Sequence, residues 1–255
     1  MRAISTRCNK PAMSDAAPVS IAVDPRTAAA AIRRARMRER LLDAVLDLYQ
    51  PGQGSGSLVI DDVIRAADVS RGSFYKYFDS LDAAVNELGE RMTADLMAEF
   101  RRLFDDVPDP LVRAVGGASM AMVRAWHDPR WGGFTCRIDY VDYFTRASMF
   151  DRIVRDALKA ARDKGQMRFR SIDVAVDLIV GMTIEGRRRL MLRSVEPRAY
   201  VDELIEHTFM GLKVDPSAIA DASAHFWHVM ARAAPMLSWW RNDGEGEQAS
   251  ACVMR

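Results

Sequence analysis

Apolar residues in this chain return every third or fourth position through most of its length, and no segment alternates convincingly with period two. Side chains three or four apart share one face of a helix, whereas a half-buried strand alternates residue by residue. The stripes are long. Met37, Leu41, Ala44, Val45, Leu48 and Tyr49 form one; Leu81, Ala84, Val85, Leu88, Met92, Leu96 and Leu103 form another, opened by Ser80 as a cap. Val201, Leu204, Ile205, Thr208, Phe209 and Leu212 repeat the spacing, as do Ile219, Ala222, Phe226, Val229, Ala233, Leu237 and Trp240. Residues 111–126, 138–164 and 172–192 also carry helical patterns. The expected fold class is all-α.

Asp24-Pro25 is a helix-start signal, since an Asp oxygen accepts a first-turn N–H and Pro needs none. Pro51-Gly52 stops that helix. Residues 1–24 and 242–255 show no period and are expected to be flexible tails. With 49% hydrophobic residues the chain has enough apolar surface for a packed core. Its longest apolar runs fall far short of the roughly 20 residues of a membrane span. Arg2, Arg7 and Lys10 precede no apolar segment, so no secretory signal is expected. Cys8, Cys136 and Cys252 are odd in number and scattered, which fits neither a disulfide framework nor a zinc site. A cytoplasmic, reduced protein without cofactor or metal is the expectation.

The net charge of +1 hides a local excess: Arg26, Arg33, Arg34, Arg36, Arg38 and Arg40 crowd one stretch, relieved only by Glu39. The most informative segment follows it. Ile60, Val63, Ile64 and Ala67 make a short amphipathic helix, and Asp68-Val69-Ser70 turns the chain. Asp tolerates the left-handed backbone such a turn requires. Ser70 is placed to cap a second helix of about two turns. Phe74 and Phe78 share the inner face of that helix, while Gly72, Ser73, Tyr75 and Lys76 point away and Arg71 and Tyr77 flank them. A helix anchored by two Phe rings that presents hydroxyls, cations and a tyrosine suits a polyanion. One helix braces, and the next enters the major groove.

Val63-x-x-Ala66-Ala67-x-Val69-Ser70-x-Gly72-Ser73-Phe74-Tyr75-x-Tyr77-Phe78 resembles the N-terminal signature of the TetR (tetracycline-repressor) family. The specific resemblance covers residues 35–90; beyond them only helix order and length agree. It implies a helix-turn-helix domain over residues 25–80 and a ligand-binding and dimerisation bundle over 81–241. It further implies that Ser70, Arg71, Ser73, Tyr75, Lys76 and Tyr77 face DNA; the charge run itself makes Arg36 and Arg40 candidate supporting contacts, with a solvated helix face as the alternative. Val63, Ala67, Val69, Phe74 and Phe78 would hold the domain together. Packing of Tyr75 and Tyr77 against the next helix is the alternative. Three positions depart from the family pattern: Val59 stands where a Thr usually caps the second helix, Asp68 where a Gly makes the turn, and Leu81 where a Lys opens the fourth helix.

The resemblance implies that residues 172–192 and 197–212 pair with a second subunit through Val201, Ile205, Phe209 and Leu212, with intramolecular core as the alternative. Residues 216–240 form a helix beyond the usual plan. Met120, Trp126, His127, Trp131, Phe134, Tyr140, Tyr143 and Phe144 are the candidate lining of a pocket for a mainly apolar ligand. Trp131-Gly132-Gly133-Phe134 breaks the helical pattern and reads as a gate, and Arg187, Arg188 and Arg189 read as solvated, with binding of an acidic ligand by one of them as the alternative. An all-α enzyme is disfavoured. His127 with Asp128, or Asp139 with Asp142, are the acid/base groupings present, and neither accompanies a nucleophile or a metal-ligand spacing. A helical small-molecule carrier without DNA binding would leave Arg71, Tyr75 and Lys76 without a role. The expected function is a homodimeric, ligand-responsive repressor of a palindromic DNA operator.

Overall fold

The computed structural model describes residues 25–50, 58–141 and 149–241. Among these residues run ten α-helices and no strand: α1 (Pro25–Leu48), α2 (Ile60–Ala66), α3 (Arg71–Phe74), α4 (Leu81–Phe104), α5 (Pro110–His127), α6 (Pro129–Val141), α7 (Met149–Asp163), α8 (Ile172–Met191), α9 (Pro197–Gly211) and α10 (Pro216–Ala233). Short side chains set their beginnings. Ser80 accepts the Ala83 N–H at 3.0 Å, Asp109 that of Leu111 at 2.9 Å and Asp215 that of Ser217 at 2.9 Å. Pro110, Pro197 and Pro216 occupy first-turn positions, where the missing N–H costs nothing. No described helix is long and apolar enough to cross a membrane.

Contacts divide the chain into residues 1–38 and residues 39–255. The second unit holds two hydrophobic cores. The smaller gathers Leu41, Val45, Val63, Ala67, Phe74, Phe78, Val85 and Leu88, joined by Phe134 and Ile138 from α6. The larger runs from Leu96 through α5, α7, α8, α9 and α10, and includes Trp131. Met92 packs against both, so α4 passes from one core to the other as a continuous rod. Each fully buried Phe or Leu here contributes roughly 1.5–3 kcal/mol relative to its exposed state.

Two expectations change. Trp131-Gly132-Gly133-Phe134 lies inside a regular helix, not at a gate. A Cβ on Gly132 would stand 2.7 Å from Met191 Sδ and 3.0 Å from the Ala125 carbonyl oxygen, so this glycine serves close packing of α6 on α5 and α8. The helix expected to start at residue 138 begins already at Pro129; its described parts are α6 and α7, and residues 142–148 lie outside the described range. The helix beyond the usual plan is α10, which packs on α5 and α9. Its Phe226 stacks on Phe104 at 6.3 Å, and Trp227 Nε1 donates to Asp202 at 2.7 Å. Just after it, Trp239 Nε1 donates to Glu99 Oε2 at 2.6 Å.

Candidate nucleic-acid interface and ligand cavity

α2 begins without a side-chain cap from Val59; instead the Val59 N–H donates to Asp62 Oδ2 at 3.2 Å. The turn after α2 places Asp68 at φ +49°, the left-handed position a Gly would fill more easily. Arg40 reaches Asp68 Oδ2 at 3.5 Å and ties the turn to α1. Ser70 then accepts the Ser73 N–H at 3.1 Å, and the two hydroxyls lie 2.9 Å apart. Regular α-helix covers only Arg71–Phe74; a tight turn continues to Phe78, whose N–H still donates to the Phe74 carbonyl at 3.1 Å.

Phe74 and Phe78 are buried, their rings 5.7 Å apart, with Val63 and Ala67 beside them and Val69 half-buried at the edge. The opposite side is polar and open. Ser70, Arg71, Gly72, Tyr75 and Lys76 are exposed and Ser73 is half-buried. Tyr75 is 47% exposed, its ring edge-on to Phe74 at 5.7 Å. Tyr77 differs: it is half-buried against the small core. Arg71 is held by Asp61 of α2 at 2.6 Å, and the hydrogen bond to that carboxylate raises the guanidinium pKa. Arg36 lies in the first unit and is exposed on α1.

A cavity of about 420 Å³ opens in the larger core. Met97 and Phe100 of α4, the small residues Ala114, Gly117, Ala118 and Ala121 of α5, Ile153, Val154 and Leu158 of α7, Ile179, Val180 and Ile184 of α8 and Phe209 of α9 form its apolar wall. Its polar members include Thr183 and Arg187. Arg187 is only 5% exposed; its Nε donates to the Thr183 carbonyl at 3.3 Å, and its guanidinium lies 5.8 Å from the Trp131 ring. No group of His, Cys, Asp or Glu positioned for a metal occurs among the described residues.

Solved structures share this fold. A γ-butyrolactone receptor described as ArpA-like superposes with TM-score 0.57 at 12% identity, over 78% of this chain and 98% of the other. RolR in complex with resorcinol gives 0.55 at 15% identity, over 76% and 96%. A TetR-family transcription regulator from Marinobacter aquaeolei VT8 gives 0.55 at 12% identity, over 74% and 97%. The chain has the TetR-type fold. No family model and no curated protein sequence matches it.

Within that TetR-type fold the aromatic residues expected around a ligand are placed elsewhere. Met120 is buried core, and Trp131 is buried between the guanidiniums of Arg124, at 5.2 Å, and Arg187. Phe134 belongs to the small core, 5.5 Å from Tyr49. Trp126 lies under Arg193 at 3.7 Å, and His127 stacks on Trp240 at 3.9 Å. None of these five lines the cavity. The Tyr140 side chain, Tyr143 and Phe144 lie outside the described residues. The gap opens instead where the Ala and Gly face of α5 leaves room opposite α7 and α8. The signal existed in the sequence: Ala114-x-x-Gly117-Ala118-x-x-Ala121 is a small-residue stripe at helical spacing. Arg187, expected in solvent with its neighbours, is buried, whereas Arg188 pairs with Glu185 at the surface. Val201, Ile205, Phe209 and Leu212 are at most 3% exposed within a single chain, so this stripe is the inner face of α9.

Proposed function

We propose that the protein is a ligand-responsive transcriptional regulator of the cytoplasm, acting as a homodimer on a roughly palindromic DNA operator and released by a mainly apolar small molecule. The observation that carries this reading is the exposed row of Ser70, Arg71, Tyr75 and Lys76 on an element anchored by buried Phe74 and Phe78. Hydroxyls and Lys76 meet phosphates and set the register, while Arg71 and Tyr75 reach base edges or thymine methyls. So short an element makes few contacts, so two copies act on half-sites about one helical turn apart.

The effector site is the cavity of about 420 Å³, whose size and lining fit a small organic ligand. A small aromatic of the kind RolR holds falls within its capacity. Thr183 and Arg187 supply the polar groups that orient it. Such a ligand shifts DNA affinity only by binding one arrangement of the paired DNA-reading elements better than the other.

Selection of binding sequences from random duplexes, followed by titration against salt, tests the reading. Affinity should fall steeply with salt, and Tyr75→Ala should narrow the gap between selected and random DNA by about 1–3 kcal/mol. An affinity flat in salt, or selection that yields no sequence, overturns it.

A further inference from the structure

We infer that the segment after α10, Leu237–Arg241, is a latch that ties the wall of the cavity to α4 through a column of alternating cations and rings. Its part in regulation rests on the effector reading of the cavity given above; the column itself does not. Arg187, on the cavity wall, stands 5.8 Å from the Trp131 ring. Arg124 stands 5.2 Å from that ring and 5.6 Å from the ring of Trp239. All four side chains are buried, and they come from α8, α6, α5 and the latch segment. Glu99 of α4 joins the column at its far end. One oxygen, Oε2, accepts from the Arg124 guanidinium at 3.1 Å and from Trp239 Nε1 at 2.6 Å. A second anchor follows at once: Trp240 stacks on His127 of α5 at 3.9 Å, and the Arg241 N–H donates to His127 Nδ1 at 3.3 Å.

The seated form is opposed from within. Burial lowers the Arg124 pKa against the pull of Glu99, and the faces of Trp131 and Trp239 supply the rest of its stabilisation. Arg124 Nε and Trp131 Nε1 are buried with no hydrogen-bond partner among the described residues. A buried donor left unpaired costs its desolvation, and lifting the Trp239 ring off the guanidinium would return water to it. The segment that moves is short. After a 3₁₀ turn, Ala234–Met236, it is not helical; Leu237 and Trp239 are buried, while Ser238 and Arg241 are exposed. Such a segment opens at lower cost than the bundle it covers. While seated, it holds α4 to α5 at Glu99, two turns beyond Met92, the residue that packs against both cores. An occupant of the cavity that moves Arg187 removes the packing behind Trp131. Arg124 and Trp239 then lose theirs, and Glu99 is released.

Hydrogen exchange of the full-length protein, without ligand or DNA, reads the latch directly, because the Arg241 amide is bonded across to His127 only while the segment is seated. Exchange at Arg241 should be about fivefold faster or more in Arg187→Ala than in wild type, the low end of usual coupling between sites. Trp239→Ala, which breaks the column at the latch, should be faster still, and Glu99→Gln should also quicken it. The Arg187→Ala/Trp239→Ala protein should exchange at the rate of Trp239→Ala alone. Side chains this far apart ordinarily act independently, so packing losses without a column would multiply. Amides of α9 serve as the control for general loosening. Where Arg187→Ala loosens α9 too, Trp131→Phe makes the same test with a smaller change. Unchanged exchange at Arg241 in Arg187→Ala and Trp131→Phe, or multiplied effects in the double variant, overturns the inference. A coupled column in a protein that binds no duplex keeps the latch and removes the regulator. An uncoupled column in a protein that binds its operator does the reverse.

Discussion

Trp131 and Phe134 stand three residues apart on α6, yet Trp131 is buried in the larger core and Phe134 in the small core beneath the helix-turn-helix. α6 therefore joins the core that holds the cavity to the core beneath the helix-turn-helix. Arg187 extends the connection, since it lines the cavity and holds its guanidinium over the Trp131 ring. A ligand that displaces Arg187 acts on a helix whose next turn is fixed inside the other core.

Gly132 tests this link. Its Cβ would meet Met191 Sδ at 2.7 Å and the Ala125 carbonyl oxygen at 3.0 Å, so Gly132→Ala displaces the Met191 side chain and presses on the backbone of α5. The expected cost in urea denaturation is about 1–3 kcal/mol, with a change in DNA affinity as Phe134 is carried along. Gly117, on the cavity wall, is the control. An added Cβ there meets only Phe100, at 3.8 Å, so Gly117→Ala should stabilise the helix by about 0.5–1 kcal/mol. Equal stability of the Gly132 variant and wild type would remove α6 as a tightly seated link.

Asp61 restrains Arg71 in the free protein, and both are exposed. Asp61→Asn should release the guanidinium and remove a negative charge from the side that meets DNA. DNA binding should tighten and its salt dependence should steepen, with little change in thermal stability. Weaker binding in this variant would mean that Asp61 orients Arg71 for its contact rather than withholding it.

The helix-turn-helix was legible because its elements are local. The Ser70 cap, the left-handed Asp68 and the Phe74/Phe78 pair each follow from neighbours in sequence, and the structure has all three. Helix positions elsewhere followed from periodicity for the same reason, except at α6, whose Trp131-Gly132-Gly133-Phe134 stretch reads as a break in the sequence and is helical in the structure. The cavity was not legible, because an empty space is defined by what α5 lacks opposite α7 and α8, and large aromatics fill space rather than enclose it. Phe134 shows the limit most clearly. Its spacing says only that it is buried, and which of two cores receives it depends on how α6 crosses α1 and α4.

The start of α5 sets an acid limit on stability. Burial raises the pKa of the Asp109 carboxyl, but hydrogen bonds from Gln166 and from the backbone N–H groups of Leu111 and Val112 outweigh this and leave it below the usual 3.8. A carboxylate with a depressed folded pKa stabilises the protein fully above its unfolded value, and the contribution disappears as pH falls through the folded value. Asp109→Ala should therefore cost about 0.5–2 kcal/mol near neutral pH, as loss of a helix cap does. The difference from wild type should shrink once the pH falls below the usual carboxylate range. Chemical denaturation of both proteins at neutral and acid pH checks it, and a pH-independent difference refutes the assignment.

Pairing of subunits requires surface that a single chain leaves uncovered, and α8 and α9 offer it at one end. A Cβ on Gly211 would stand 3.3 Å from Leu178 Cδ2, so the last turn of α9 lies beside the start of α8. Val174, one turn before Leu178, is 67% exposed, and Met210 is 44% exposed. Two large apolar side chains left in water on adjacent helices form a surface on which a second copy is expected to pair. Val174→Asp and Met210→Asp should each give a folded monomer in sedimentation at micromolar concentration, with unchanged helicity and lost operator binding, because one helix-turn-helix cannot hold two half-sites. Phe209→Asp should behave differently. It puts an unpaired carboxylate at a position with no exposure, which costs several kcal/mol and unfolds the bundle rather than separating subunits. Dimers that survive both surface changes would move the interface away from this end of α8 and α9. A folded, monomeric Phe209→Asp protein would instead return it to the inner stripe of α9.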